Sequence, residues 1–450
     1  MVDSHDPGKK LSVSEKVFGL ILIVVFAGIV VHAPLSVGLG TLFPDYTLLI
    51  KSWKEILLLV ASVIVIIIIS NRKMWIELSQ DILLRLVAAY GALHLILAVA
   101  FRHSISETSA GLAIDLRYVL FFSLVYILVK IAPRYRKLIL WTSAFGAFVV
   151  VTFAVMQLFL PADILKYIGY GNDTIVPYMT VDQNASFVRI NSTLRGPNPL
   201  GAYAGMVLTV ATAFSLSRVK KLDIPRIRYF VYWLAFAASV ALWVSYSRSA
   251  LIAGIGAASF VIVIKLAPRF SRRIWIMSLI IIFALVGGFV AAKDNSVISN
   301  VVLHKNPNGG SSVSSNDGHI SSLSDGLRRV VTQPVGAGIG STGSASLFGD
   351  DSLIIENQYL FVAHESGWLG LGLFIALFII ILGRLWKQRR DYLALGLFAS
   401  GIGLAFIGLL LPVWADDTVS IVWFGLAAVA IAGKEIHGTT KTNKKATRTT

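Results

Sequence analysis

The stretch EILLLVASVIVIIIIS (residues 55–70) carries no charge after Glu55 and is typical of a helix that crosses a membrane. Similar apolar runs recur throughout the chain, which has 450 residues, is 56% hydrophobic and is only 14% charged. About a quarter of the residues in soluble domains are charged, so this composition excludes a soluble protein. The sequence predicts an all-α polytopic membrane protein with about 12 transmembrane helices. The predicted spans are residues 17–34, 55–70, 82–101, 115–132, 138–160, 198–217, 229–245, 249–267, 274–292, 361–382, 392–411 and 418–433.

The basic residues are distributed unevenly between the connecting segments. Of the 40 Lys and Arg residues, 27 fall in alternate segments and 12 in the segments between them. Because cytoplasmic loops carry an excess of Lys and Arg, this pattern predicts that both termini are cytoplasmic. It also explains the net charge of +16 without a nucleic-acid partner. We predict a cytoplasmic N-terminus (1–16), a transmembrane domain (17–433) and a basic cytoplasmic tail (434–450) near anionic lipid.

Two of the predicted outward loops are long, at residues 161–197 and 293–351. The second contains GHISSLSDGLRRVVTQP, in which the apolar residues recur at helical spacing. Asp325 stands three and four residues before Arg328 and Arg329, an arrangement that supports a helix. The pattern predicts an amphipathic helix that either lies on the outer surface or closes over a site.

The stretch RINSTLRGPNPLGAY (residues 189–203) places two arginines before the sixth predicted span. Asn198 suits the cap of a helix and Pro199 its first position, so the helix is predicted to begin there. Its free N–H groups would then point toward Arg189 and Arg195, and this combination favours an anion site. The alternative is that both arginines reach lipid phosphates at the interface.

Three further charged residues lie close to predicted spans. Arg248, in VSYSRSA, stands between two apolar runs with almost no loop around it. Charges at that depth usually face a cavity or a partner. Asp115 and Arg117, in AIDLRYVLFF, mark the outer start of the fourth span, where they either line a site or pair with neighbouring polar groups.

The stretch IENQYLFVAHESGWLGLG (residues 355–372) surrounds the start of the tenth span. Glu356 and Asn357 lie at its outer end, where Glu356 is a candidate general base and Asn357 a candidate ligand for a neighbouring hydroxyl. His364 and Glu365 lie near the entry into lipid, and we interpret them as interfacial anchors.

In their order, and with a large external loop before the last, RINSTLRGPNPLGAY, SYSRSALIAG, PVGAGIGSTG and ENQYLFVAHESGWLGLG resemble motifs of the O-antigen ligase and polysaccharide polymerase superfamily. The resemblance covers about residues 110–410. It implies the C-type membrane glycosyltransferase fold and an inverting transfer that needs no metal or other cofactor. The implied donor is a glycan on undecaprenyl diphosphate, and the implied acceptor is a sugar of a glycan or glycolipid at the outer face of the bacterial inner membrane.

The resemblance also implies that Arg189, Arg195, Arg248, Glu356 and Asn357 are the residues that act. Ligases typically have a histidine where this chain has Glu356, and the glutamate looks closer to the polymerases, so both acceptor types stay open. His319, in the second long loop, is the next candidate base. The candidate set comprises catalytic Glu356, Arg248 and Arg189 and substrate-binding Arg195, Asn198, Arg117, Asn357 and His319, with no metal ligand.

Two other classes of protein fit parts of the sequence. A flippase for lipid-linked polysaccharide would also have many spans and outward arginines, but it should carry charged groups in the middle of the membrane. A membrane scaffold without activity would leave Arg248 and Glu356 with no reason to lie near lipid.

Overall fold

A computed structural model describes residues 11–181, 184–217, 224–267, 315–350 and 352–446. The fold is 77% helical with almost no sheet, so the all-helical prediction is confirmed. The elements are α1 Val13–Gly28, α2 His32–Leu42, α3 Thr47–Lys51, α4 Trp53–Arg72, α5 Trp75–Ser79, α6 Ile82–Ala100, α7 Ile105–Ile131, α8 Arg134–Gln157, β1 Met179–Val181, β2 Asn184–Arg189, α9 Pro197–Ser215, α10 Pro225–Val244, α11 Arg248–Leu266, α12 Ser315–Thr332, α13 Gln358–Lys387, α14 Tyr392–Ile407 and α15 Asp417–Ala446.

Eight of the described helices are long and apolar enough to cross a membrane. Two shorter apolar helices follow at Tyr392–Ile407 and Asp417–Gly433. The span predicted at 274–292 lies outside the described residues. The backbone of α15 stays helical to Ala446, through most of the segment assigned to the basic tail. The eight helices are Val13–Leu42 (α1 and α2 joined by a 3₁₀ turn), Trp53–Arg72, Ile82–Ala100, Ile105–Ile131, Arg134–Gln157, Pro225–Val244, Arg248–Leu266 and Gln358–Lys387.

Helices α7 and α15 pack together in the protein core. Nearly every side chain in the second half of α7 is buried, as is every described side chain of α15 from Thr418 onward. A side chain at Gly425 would meet the rings of Phe26 and Phe121 at 2.6 Å. Within lipid, helices associate through close packing rather than through the hydrophobic effect, so a residue without a side chain is favoured at this crossing.

The connecting segments rich in Lys and Arg contact one another at one end of the bundle, and the segments between them contact one another at the other end. At one end, which we call the basic end, Arg72 Nε lies 2.6 Å from Glu15 Oε1. At the same end, Asp81 lies 2.8 Å from Arg384 and 3.7 Å from Lys130. The segments predicted to face the cytoplasm therefore meet one another.

At the opposite end, which we call the site end, loops from distant parts of the chain interlock. Lys54 Nζ lies 3.1 Å from Asp417 Oδ2. The ring of His103 hydrogen-bonds the carbonyl of Ala337 at 2.8 Å. Every segment that joins this end was predicted to face outward, so the structure groups the predicted outward segments together.

Candidate functional site

Arg189 is the last residue of a two-stranded antiparallel hairpin, in which it pairs with Met179. Its Nη2 donates to Asn198 Oδ1 at 2.6 Å, and its Nε donates to the carbonyl of Ser245 at 3.0 Å. One guanidinium thus joins the hairpin, the start of α9 and the turn before α11. The side chain is half-buried, and its planar guanidinium makes both hydrogen bonds at once.

Helix α9 begins two residues earlier than predicted. Its cap is Gly196, in extended conformation, and its first residue is Pro197, so the predicted cap at Asn198 and start at Pro199 are wrong. Proline suits the first helical position because the N–H of that residue has no partner within the helix. Both Pro197 and Pro199 could occupy this position, and the helix begins at the earlier of the two. The side chain of Asn198 therefore does not cap the helix, and it accepts a hydrogen bond from Arg189 instead.

Arg248 is the first residue of α11 and follows a very tight turn. Tyr246 has a positive φ of 49°, and the N–H of Ser247 donates to Ser245 Oγ at 3.3 Å. Arg189 bonds the carbonyl of Ser245 in this same turn, three residues before Arg248. The Arg248 side chain is half-buried.

Arg195 is exposed and extends toward the second long loop. Its Nη2 donates to Ser344 Oγ at 3.4 Å. The neighbouring Gly343 N–H donates to the carbonyl of Leu353 at 2.8 Å, which ties this loop to the segment leading to Glu356. Arg195 and the segment that leads to Glu356 therefore both contact the loop at residues 335–346, which we call the return loop.

Glu356 and Asn357 lie where α13 begins, but they have different surroundings. Glu356 is half-buried, and its N–H donates to Ser322 Oγ of α12 at 3.3 Å. The Asn357 side chain caps α13 by accepting from the N–H groups of Tyr359 and Leu360, and it donates to the carbonyl of Leu409 at 2.7 Å. Asn357 therefore fixes the helix start beside Glu356.

The amphipathic helix predicted in the second long loop is present as α12. Arg329 pairs with Asp325 at 2.7 Å and Arg328 does so at 3.4 Å, as the spacing predicted. One face packs on α13, since a side chain at Gly326 would approach Leu360 to 3.0 Å. His319 belongs to this helix, but its side chain lies outside the described residues. The other face leaves apolar side chains exposed, at Leu323, Leu327 and Val331.

Arg117 lies deeper than predicted. Helix α7 begins at Ile105 rather than at residue 115, because Ser104 Oγ caps it by accepting from the N–H of Glu107 at 3.1 Å. Twelve residues at 1.5 Å each place Arg117 roughly 18 Å along the helix. It is buried, donates to the carbonyl of Ala415 and lies 3.6 Å from Glu55.

Beside Arg117 is a buried ionic network that the sequence analysis missed. The ammonium of Lys54 is 3% exposed and lies 3.1 Å from Asp417 and 3.2 Å from Glu55. The indole N–H of Trp53 donates to His32 Nδ1 at 3.0 Å, while His32 Nε2 lies 3.1 Å from Lys54 Nζ and 3.3 Å from Asp417 Oδ2. The only sequence signal was the polar run KSWKE at the edge of the second span.

Asp416 is a second carboxylate that the sequence analysis did not single out. It stands immediately before α15, and its Oδ1 accepts from the N–H of Val419 at 3.0 Å. Burial and the charge of Asp417 raise the pKa of Asp416 to about 6, although Arg195 and Arg117 act in the opposite direction. A carboxylate that titrates near neutrality beside two arginines is typical of a functional site.

His364 and Glu365 are buried, so their interpretation as interfacial anchors is wrong. Helix α13 breaks at Gly367, which has a φ of 67°, and the return loop docks onto the break. The N–H of Ala337 donates to the carbonyl of His364 at 2.6 Å, and that of Gly338 donates to the carbonyl of Glu365 at 3.2 Å. The loop thus covers both residues from the aqueous side.

Glu365 forms a buried cluster with Asp115 and His94. His94 Nδ1 donates to the carbonyl of Tyr90 at 2.8 Å, which leaves Nε2 facing Asp115 Oδ2 at 3.6 Å. Glu365 is buried near Asp115, and its Oε1 accepts from the N–H of Thr342 at 3.3 Å.

Within the described ranges, no group of three or more His, Cys, Asp or Glu side chains is arranged to hold a metal ion. The charged groups at the site end are instead held by one another and by backbone carbonyls. Comparisons of the chain with protein-family models and with curated proteins find no match.

Proposed function

We propose that this protein is a membrane glycosyltransferase of the O-antigen ligase and polysaccharide polymerase type. It transfers a glycan from undecaprenyl diphosphate to an acceptor sugar, either extending a repeat-unit polymer or joining the glycan to a surface glycolipid. The reaction takes place at the outer face of the bacterial inner membrane, and both termini are cytoplasmic. The proposal includes the twelve-span count and the C-type glycosyltransferase fold.

One observation carries the proposal: arginines from separate segments converge at the site end beside carboxylates. Arg189 ends strand β2, Arg195 lies between β2 and α9, and Arg117 belongs to α7, while Glu356 and Asp416 precede α13 and α15. Fixed guanidiniums bind phosphate through paired hydrogen bonds, and preorganised charge stabilises a departing anion. Such an arrangement fits a donor whose leaving group is a diphosphate.

In this reaction a carboxylate activates the acceptor, and arginines stabilise the leaving group. The acceptor hydroxyl attacks the anomeric carbon as its proton passes to the Glu356 carboxylate. The bond from that carbon to the phosphate oxygen breaks, and its electron pair leaves on the diphosphate. Arg189, Arg195 and Arg248 stabilise the growing negative charge. Attack opposite the leaving group inverts the anomeric centre.

Two structural features support the proposed role of Glu356 as the general base. Asn357 holds the start of α13 through the carbonyl of Leu409, which fixes the backbone beside the glutamate. Helix α12 covers the same point through Ser322, and its exposed apolar face suits the lipid interface. A base at the boundary between lipid and water is accessible to a polar acceptor and to a lipid-linked donor.

The test uses the purified protein in lipid nanodiscs with glycans of defined structure on undecaprenyl diphosphate. We expect chain extension or transfer to a glycolipid acceptor, with inversion at the anomeric centre, detected by mass spectrometry and NMR. Arg328→Lys, on the exposed face of α12, is the control variant at the same end. A protein that binds the donor but yields neither product from any donor and acceptor pair would contradict the proposal.

The orientation is tested separately. The chain has no cysteine, so single cysteines at Asn172 and Ser217 can be labelled without background. A membrane-impermeant maleimide should label Asn172→Cys in intact cells stripped of their outer membrane, and Ser217→Cys only after lysis. Equal labelling of both positions in intact cells contradicts an outward site end.

The buried cluster of His94, Asp115 and Glu365 favours a second candidate function. Ionisable groups inside a membrane protein often relay protons in transporters, so a proton-driven flippase for lipid-linked glycan is the alternative. Proteoliposomes loaded with a fluorescent lipid-linked glycan distinguish the two. Movement of the donor between leaflets that depends on a proton gradient, without glycan transfer, favours the flippase.

A further inference from the structure

A cavity of about 430 Å³ lies among α8, α9, α10, α14 and α15, and none of the candidate site residues lines it. Its walls are almost entirely apolar. Its lining includes Met206 and Phe214 of α9, Phe230 and Leu234 of α10, and Val422 of α15. A space of this kind inside a membrane protein fits a hydrocarbon chain.

Two cations line the mouth of this cavity. Lys137 is in the first turn of α8, and Arg226 is in the first turn of α10. Both side chains are exposed, and both belong to segments of the basic end. Trp141 and Tyr392 also line the cavity, and aromatic residues of this type are enriched where lipid meets water.

The depth of the cavity matches one leaflet of a bilayer. Leu234 follows Arg226 by eight residues, so it lies roughly 12 Å farther along α10. Tyr203, also in the lining, precedes Phe214 by eleven residues, or roughly 16 Å of α9. A bilayer core is about 30 Å thick, so the cavity runs from the basic surface to near the midplane.

We propose that this cavity binds one phospholipid with an anionic headgroup from the leaflet at the basic end. Lys137 and Arg226 hold the headgroup phosphate, and one acyl chain fills the apolar space. The guanidinium of Arg226 matches phosphate geometry, while Lys137 adds a point charge. The site is separate from the donor site because it opens at the other end of the bundle.

The experiment measures lipid retention by native mass spectrometry, after reconstitution in equal amounts of phosphatidylglycerol and phosphatidylcholine. We expect the parent protein to retain one phosphatidylglycerol in preference to phosphatidylcholine. In the double variant Lys137→Gln/Arg226→Gln, this preference should fall about fivefold for each lost charge, because each basic group near a membrane surface contributes about 1 kcal/mol. The control Arg389→Gln/Arg390→Gln removes two charges from the same end outside the cavity and should keep the preference.

A second variant tests the acyl-chain part of the site. Ala144, half-buried, lines the cavity, and Ala144→Phe should fill it and lower retention of both lipids. Thermal unfolding in detergent verifies that each variant is folded. Equal retention of the two lipids by the parent overturns the proposal, since it indicates annular lipid only. An unchanged preference in the folded Lys137→Gln/Arg226→Gln protein also overturns it.

Discussion

The two ends of the bundle both carry many charges but use them differently. At the basic end, many cations, such as Lys137 and Arg226, are exposed, and their number is what orients a chain in a membrane. At the basic end, Arg72 and Arg384 pair with carboxylates, whereas at the site end Arg189 and Arg117 donate to backbone carbonyls of distant segments, those of Ser245 and Ala415. The predicted topology thus depends on the count of charges, whereas the proposed chemistry depends on their fixed geometry.

If the site end performs the chemistry, the largest effect should come from Glu356. Glu356→Gln keeps the size of the side chain but removes its basicity, so turnover should fall about a thousandfold. Donor affinity should change little, because the arginines bind the diphosphate. Turnover and donor binding are measured separately, by single-turnover kinetics and by filter binding. Lost donor binding with an unchanged rate at saturation would instead make Glu356 an orienting partner of an arginine, and His319 the next candidate base.

The second effect concerns the geometry of an arginine rather than its charge. Arg248→Lys keeps the cation but loses the planar pair of donors, so kcat/KM should fall about a hundredfold. The exposed Arg328→Lys serves as the matched control. Near-normal activity in Arg248→Lys would mean that charge alone suffices, and the distinction between the two ends would then disappear.

The sequence predicts the helices well because each apolar run must be covered by lipid or by other helices. It also indicates that Arg189, Arg195 and Arg248 share an end, because the alternation of basic segments follows the chain. It misses the pairing of Lys54 with Asp417, since nothing local in either segment indicates the other.

Glu365 was misinterpreted for a different physical reason. A continuous helix would carry this residue to the lipid interface, but the positive φ of Gly367 interrupts α13. The break is stabilised by backbone bonds from the return loop, which donates from Ala337 and Gly338. No pattern within α13 itself specifies that a loop about thirty residues earlier will dock there, so burial of Glu365 depends on tertiary structure.

The third effect tests whether the basic end contributes stability rather than chemistry. Burial alone would raise the pKa of Asp81, but hydrogen bonds from Tyr126 and Arg384 outweigh burial and lower it. Asp81→Asn leaves Arg384 without its carboxylate and should lower the free energy of unfolding by about 2 kcal/mol. Denaturant titration measures this, and turnover per folded molecule should stay within about twofold of the parent. A selective loss of turnover would tie the basic end to catalysis.

The smallest effect is a pH dependence of donor binding at the site end. The pKa of Asp416 is raised to about 6 by burial and by Asp417, so this carboxyl is largely neutral at pH 5 and largely ionised at pH 7. Because its folded pKa lies above the ordinary value, ionisation as pH rises through 6 removes stability rather than adding it. The new negative charge also opposes the fields of Arg195 and Arg117.

Donor affinity should therefore weaken about threefold to tenfold between pH 5 and pH 7, since the donor diphosphate, esterified at both ends, keeps its charge over that range. Asp416→Asn stays neutral at every pH, so its affinity should remain at the parent's acidic value and show no step. Fluorescence titration of a lipid-linked donor at fixed ionic strength measures both proteins. A step of equal size in Asp416→Asn would assign the titration to another group. A flat profile in the parent would mean that the diphosphate binds away from Asp416, nearer Arg189 and Arg248.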